Sequence, residues 1–304
     1  MSPPPTSVLL PTTRWTPACD EVAAQLAEDD ELLVVCDAET DPVADHVRDQ
    51  PENVRLVVAG EPSGCSGKAN AIAAGMDAAR HDRVAWTDDD FRHPPDWLAG
   101  LHADYERHGP VSELPAFVGR DPLSMLLEPV YVLGGTASVY AGDMVWGGAV
   151  LFERDDLEVD AFLADLRRTV SDDGLLSEHL DATAVRRTRR VEIGGTVRES
   201  LERHVRFTKI AYAHDPVGMS VSSVGITGLV TASLLVPVYA FVVAALLFAG
   251  CYAAFGIRRW TAVLGYPALL ASVPLLAYAY ARRTFVWGGR RYRWRSKFDV
   301  ELVE

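Results

Sequence analysis

The sequence predicts an α/β fold: a parallel, doubly wound sheet over residues 6–215, followed by C-terminal transmembrane helices. Three observations predict it. Short apolar runs alternate with helical segments through the first two thirds of the chain. Polar residues collect where several of these runs end, and open α/β sheets build their sites there. From Pro216 to Ile257, 42 consecutive residues carry no charge, about twice the ~20 apolar residues that one bilayer span needs.

In order, SVLLP (7–11) is a first short strand, followed by a helical segment through CDEVAAQLAEDD. ELLVVCD (31–37) is a second strand, and a helix starts at Pro42. NVRLVVAG (53–60) is a third; a Gly/Ser loop then leads into the Ala-rich helix KANAIAAGMDAAR (68–80). RVAWTDDDF (83–91) is a fourth. The polar strand ends are Thr12–Thr13, Asp37, Ser63–Lys68 and Asp88–Asp90. Further on, the uncharged run places one membrane helix within Ile226–Phe255, and Thr261–Tyr280 is long enough for a return span. Seven basic residues follow Tyr280 within 17 positions, whereas the loop between the spans holds two. The positive-inside rule therefore puts the tail in the cytoplasm, and an even number of spans puts the N-terminal domain there too.

Composition narrows the function. Hydrophobic residues make up 49% and charged residues 23%, which excludes disorder and collagen-like structure. The net charge of −13 divides into +6 over residues 216–304 and −19 over the other 215 residues. A domain that acidic repels a nucleic-acid backbone, so nucleic acid is excluded as a partner. Only three of the 29 basic residues are Lys, and an acidic, Lys-poor surface fits a salt-rich cytoplasm, as in a halophile. The four cysteines are scattered without C-x-x-C spacing, so neither a disulfide framework nor a structural zinc site is expected. MSPPPTSVLLPTTRW has neither a basic start nor a long apolar core, so no secretory signal is expected.

Four segments carry side chains suited to chemistry, and each has two readings. In TDDDF (87–91), strand alternation points Asp88 and Asp90 to one side. Such a pair suits a hard divalent cation, Mg²⁺ or Mn²⁺, on a diphosphate; it also suits a solvated turn or a helix N-cap. GEPSGCSGKANA fails the phosphate-loop pattern, because Pro62 and Ala69 stand where Gly and Ser or Thr are needed. Lys68 at a helix N-terminus still suits an anion; the segment reads equally as an ordinary turn between strand and helix. Asp172–Asp173 either caps a helix or supplies a general base. RHVRF (203–207) is either a snorkelling interfacial helix or a guanidinium clamp for pyrophosphate.

Taken in order, Asp37, Asp88 with Asp90, Asp173, then Arg203, Arg206 and Phe207 resemble the D, D-x-D, (E/D)-D and (Q/R)-x-x-R-W pattern of glycosyltransferase family 2. The likeness is to its ceramide glucosyltransferase-like branch. WGGAVLFERDDL (146–157) resembles that family's acceptor-side loop, with Trp146, Gly147 and Gly148, and VWGGRRYRW resembles its W-x-G-x-x-Y-R tail. Phe207 replaces the usual Trp, and PTTRWTP replaces P-x-x-N-E. The resemblance implies a Rossmann-like GT-A nucleotide-sugar-binding domain and an inverting transfer of a sugar to a lipid or lipid-linked acceptor. It implies Asp37 and Lys68 on the base, Asp88 on the ribose, Asp90 on the metal, Asp173 as base, and the arginines on the leaving diphosphate. It divides the chain into a cytoplasmic catalytic domain (1–200), an interfacial segment (201–220), a membrane region (221–282) and a basic cytoplasmic tail (283–304), a multi-pass protein of the cell membrane. Two other classes compete: a membrane-anchored nucleotide-binding or scaffold protein without transfer activity, and a nucleotidyltransferase.

Overall fold

The computed structural model describes residues 3–303, so the first two residues and Glu304 of the tail lie outside the described residues. The chain folds into two compact units that interleave along the sequence. The first comprises the residues through Leu114, Tyr140–Val185 and Phe298–Glu301; the second comprises Pro115–Val139, Arg186–Lys297 and the residues from Leu302 on.

The first unit opens with the four expected strands: β1 (Thr6–Pro11), β2 (Glu31–Cys36), β3 (Val54–Val58) and β4 (Arg83–Thr87). Helices α1 (Pro17–Ala23), α2 (Pro42–Val47) and α3 (Gly67–Ala78) connect them. The four strands are parallel in the order β3-β2-β1-β4. After α4 (Trp97–His108) comes β5 (Val111–Gly119), then α5 (Pro122–Tyr131), a π-helical turn Val132–Ala137 and α6 (Ser138–Ala141). The chain continues through β6 (Ala149–Glu153), α7 (Val159–Leu166), α8 (Asp172–His179) and β7 (Thr183–Ile193). β6 enters the sheet between β4 and β5 and runs antiparallel to both. The expected all-parallel sheet is therefore a mixed one: β5, reached through α4, runs parallel to β4, and β6 lies antiparallel between them.

The core position next to the site is Trp86 of β4, fully buried against Phe152 and Phe162, with its indole N–H on Met76 Sδ at 3.4 Å. A bulky ring fixed in that way sets where the chain leaves the strand at Thr87. The start of α3 is fixed by Ser66, whose hydroxyl accepts from the Ala69 N–H at 3.0 Å and donates to the Val170 carbonyl at 2.7 Å.

The second unit contains α9 (Val197–His214), begun by a Thr196–Glu199 capping box, then α10 (Pro216–Ser233) and α11 (Pro237–Ala254). A 3₁₀ segment (Trp260–Leu264) leads into α12 (Gly265–Ala281), and β8 (Thr284–Trp287), β9 (Arg290–Ser296) and β10 (Asp299–Val303) follow. The apolar helix expected within Ile226–Phe255 is α11, but the uncharged run around it is not one continuous helix. Leu234–Val236 interrupts it, because Pro237 has no N–H to donate and disfavours helical backbone at Val236. Among the described residues, two helical segments are long and apolar enough to cross a membrane, Pro237–Ala254 and Trp260–Ala281. β8 and β9 form an antiparallel hairpin, closed by Gly288 (φ 55°) and Gly289 (φ 76°), the pair of positive φ angles that a type I′ turn requires.

Candidate functional site

The carboxyl ends of the parallel strands carry the first unit's ionisable cluster. Lys68, in the first turn of α3, places its ammonium 2.7 Å from Asp88 Oδ1 and 3.1 Å from Asp172 Oδ2. Asp88–Asp90 leave β4 in a bend, and Asp89 turns away from Lys68 to accept the Thr12 hydroxyl at 2.5 Å. Asp173 follows Asp172 in the first turn of α8, whose N-cap Ser171 accepts from the Gly174 N–H at 3.0 Å.

The W-G-G segment closes this cluster from behind. A Cβ on Gly147 would lie 2.9 Å from Asp172 Oδ2 and 3.8 Å from Asp173 Cγ, so only glycine lets the backbone pass this close to the acid pair. The Gly148 carbonyl accepts the Thr87 hydroxyl at 3.0 Å and the Asp88 N–H at 3.3 Å. Trp146 is buried against Phe91, ring centroids 5.2 Å apart. The structure thus brings Lys68, Asp88, Asp90, Asp172, Asp173 and Trp146–Gly148 together. Asp37 stands at the end of β2, where its N–H is held by Asp41 at 2.9 Å.

Burial would lower the Lys68 ammonium, but Asp172, Asp88 and Asp173 outweigh it and raise it well above its ordinary value. Burial pushes Asp172 up to about 7, against the pull of Lys68. Burial and the neighbouring Asp88 push Asp90 up to about 7 as well. The ion-pair geometry marks Asp88 and Asp172 as the charged partners of Lys68. Asp90 is then the carboxyl short of positive charge. Among the described residues, no three His, Cys, Asp or Glu side chains are grouped to hold a metal ion. Asp90 with Asp88 nonetheless fits a hard divalent cation that takes its remaining ligands from a diphosphate and water, because their oxygens are hard donors and the acids outnumber the single Lys68 ammonium.

The second unit gathers the basic and aromatic residues. Arg206 of α9 lies 4.2 Å over the Trp287 ring and 5.2 Å over Phe207. Phe207 packs against Phe117 and Tyr131, each at 5.5 Å. Arg203 Nη1 and the Tyr131 hydroxyl are buried without a hydrogen-bond partner among the described residues. Burial raises the Tyr131 phenol, opposed by Arg203 and Arg206. The tail motif thus has a structural reason: its Trp287 is the stacking face for Arg206. Tyr131 and Glu128 are absent from the sequence reading, and Thr12 and Ser66 enter it only among the polar strand ends. Ser66 had the clearest signal, a Ser immediately ahead of a helical pattern.

A β3-β2-β1-β4 parallel sheet with a lysine and paired acids at its carboxyl edge is a Rossmann-like α/β arrangement, whose crevice at the strand ends is where such folds place their sites. The model of the family described as Glycosyl transferase family 2 matches residues 16–130. No curated protein matches the chain. Among solved structures the chain is similar to a mycobacterial protein, with 15% identity over 69% of this chain and 74% of that one, at a TM-score of 0.44. It is also similar to residues 1–349 of S. aureus TarS in complex with UDP-GlcNAc, with 14% identity over 99% of both chains and a TM-score of 0.41. A third is glucosyl-3-phosphoglycerate synthase from Mycobacterium tuberculosis, with 17% identity over 72% of this chain and 79% of that one and a TM-score of 0.39. Residues 16–130 are a glycosyl transferase family 2 domain, and the protein is a glycosyltransferase.

Proposed function

We propose that the enzyme moves a sugar, with inversion, from a nucleotide-sugar donor to a lipid or lipid-linked acceptor at the cytoplasmic face of the cell membrane. The supporting observation is the single cluster in which the D-x-D acids stand with Asp172 and Asp173, the two pairs joined through Lys68. Nucleotide binding alone has no use for a second acid pair beside a glycine-lined gap.

In this reading Asp37 faces the base and Asp88 the ribose, while Lys68 supplies the charge that lets Asp88 and Asp172 lie together. Asp90 holds Mg²⁺ or Mn²⁺, which when bound neutralises the donor's diphosphate. Asp173 accepts the proton of the acceptor hydroxyl as that oxygen bonds to the anomeric carbon. The bond from that carbon to the phosphate oxygen breaks on the opposite side, and its electron pair leaves with the nucleoside diphosphate. Arg203 and Arg206 stabilise that departing charge. The exposed apolar surface of α10 and α11, which fits a bilayer, supports a lipid acceptor. The test is to incubate native membranes with labelled nucleotide sugars and extract the lipids. Label that stays out of the lipid fraction for every donor tried overturns the acceptor class.

A further inference from the structure

We infer that His93 is a positioning residue: through Thr87 it fixes the turn that carries Asp88 and Asp90 against the Gly148 carbonyl of the W-G-G segment. His93 belongs to none of the sequence motifs and to no ion pair of Lys68. Its role rests on the metal–diphosphate reading of that turn given above.

The first observation is where the protons lie. The Thr87 hydroxyl oxygen is 3.0 Å from the Gly148 carbonyl and 2.6 Å from His93 Nε2. A carbonyl only accepts, so the one hydroxyl proton of Thr87 goes to Gly148. The same oxygen must then accept from His93, which puts a proton on Nε2. His93, Thr87 and Gly148 thus form a chain of hydrogen bonds that runs in one direction. The Gly148 carbonyl also accepts the Asp88 N–H at 3.3 Å, so it joins the first acid of the turn to the glycine segment. With its oxygen held by the imidazole, the Thr87 hydroxyl has one direction left for its proton.

The second observation is how firmly the imidazole is held. The His93 side chain is fully buried. Its ring centroid is 4.2 Å from that of Phe91 and 4.7 Å from that of Trp97, which it meets edge-on. Phe91 packs in turn on Trp146, so the same aromatic stack reaches the W-G-G segment. The backbone N–H of His93 donates to Glu21 Oε2 at 2.7 Å, and the other Glu21 oxygen pairs with Arg92. Pro94 follows directly and disfavours helical backbone at His93. A ring packed on two aromatic neighbours and tied at its own backbone has little freedom to swing. Its N–H is a fixed point for Thr87.

The third observation separates positioning from packing. A side chain needed only to fill this space would be apolar, as the buried Phe91, Trp97 and Trp146 around it largely are. A buried imidazole costs desolvation unless it is hydrogen-bonded, and this one bonds the residue immediately before Asp88. Thr87 is itself fully buried, so no water competes for its hydroxyl. Groups that hold metal-binding side chains in place change metal affinity when they are removed, and the acid turn leaves β4 at Thr87.

The test is calorimetry of the full-length protein in detergent with Mn²⁺ and inorganic pyrophosphate, which reads affinity separately from the fraction of molecules able to bind. His93→Phe keeps a ring and removes the N–H. Affinity should fall roughly tenfold, the low end for a group that supports metal ligands, because His93 acts through Thr87. His93→Gln, whose carboxamide N–H reaches the place of Nε2, should restore most of that loss. Thr87→Val should lose as much as His93→Phe, and the double variant no more than either alone, since both break one chain. A His93→Phe protein that loses stoichiometry or melting temperature and keeps its affinity overturns the inference in favour of packing. So do losses that add in the double variant. NMR of ¹⁵N-histidine-labelled protein supplies a readout without ligand. The signal that disappears in His93→Phe should be an Nε2–H tautomer whose proton exchanges slowly, and faster in Thr87→Val. An Nδ1–H tautomer overturns the chain of bonds. If the parent shows that signal but does not bind Mn²⁺ with pyrophosphate, the metal–diphosphate reading of the turn fails, while the link from His93 to the turn is supported.

Discussion

In the first unit, Trp86, Phe152 and Phe162 are fully buried, and the charges gather at the carboxyl ends of strands around Lys68. In the second unit the arrangement is reversed over α10 and α11. Val217, Val224, Leu235 and Tyr239 are each more than 70% exposed, while the fully buried Glu128 holds Arg259. The first arrangement is that of a fold whose solvent is water. The second fits apolar surroundings, since monomeric soluble proteins rarely expose a contiguous apolar surface of this kind. The buried ion pairs differ too. Lys68 sits between two acids with further acids near it, and so keeps a surplus of negative charge that a cation can meet. The second unit's Glu128 is matched by Arg259, a hydroxyl and a backbone N–H, which leaves it nothing to bind. One cluster is built to receive charge, and the other to hold a loop in place.

Asp173→Asn should have the largest effect. It removes proton-accepting capacity and keeps size and polarity, so turnover should fall by about 10²–10⁴. Calorimetry with a nucleoside diphosphate should find donor affinity nearly unchanged. Near-normal turnover in a folded Asp173→Asn protein would mean that the acid cluster binds without catalysing, and the contrast drawn above would lose its functional half.

Lys68→Met comes next. It leaves Asp88 and Asp172 facing each other in a buried setting with no cation between them. Breaking a buried pair in this way costs about 3–5 kcal/mol, which should appear as a large drop in melting temperature. Added Mg²⁺ or Mn²⁺ should restore part of it by taking over the ammonium's role, and a chelator should abolish the restoration. A variant that melts like the parent would show that the cluster tolerates its own charge, against the electrostatic reading of the site.

Leu235→Lys tests the other region. A lysine in the apolar part of a bilayer costs about 2.5–3.5 kcal/mol at the centre, so vesicle partitioning should weaken by roughly a hundredfold. Because Leu235 is 85% exposed, the melting temperature should not move. A drop in stability with unchanged partitioning would reverse the assignment of solvents to the two regions.

How far the sequence carries depends on whether the deciding interaction is local. β1 to β4 were legible because each is a short apolar run with its own punctuation, and α3 because its alanines follow a Ser cap. Asp88 and Asp90 were legible as a pair by strand alternation. The bond of Lys68 to Asp172 was not, since 104 positions separate them and only the fold brings them together. The break at Pro237 was hidden because a 42-residue stretch without charge offers a lone proline as its internal signal near that point. The antiparallel entry of β6 follows a long excursion of the chain and leaves no local mark. Glu128 did leave one: it is the only charge between Pro122 and Gly142, and a lone acid in an apolar stretch demands a partner. Arg259, 131 positions away, is that partner.

The smallest expected effect belongs to Ser66→Ala. The Ser66 hydroxyl caps α3 through Ala69 and donates to the Val170 carbonyl, while its N–H donates to the Thr169 carbonyl at 3.0 Å. It therefore ties the helix that carries Lys68 to the segment that leads into Asp172 and Asp173. Loss of one N-cap costs about 1 kcal/mol, so the melting temperature should drop by a few degrees at most for a chain of this size. The backbone bond to Thr169 survives the substitution, which keeps α3 and the Asp172 segment in register and leaves turnover close to that of the parent. Vesicle partitioning should not change, because the residue belongs wholly to the water-facing arrangement. A loss of turnover as large as that of Asp173→Asn, without a matching loss of stability, would place Ser66 in the chemistry and enlarge the site beyond the carboxylates and the lysine.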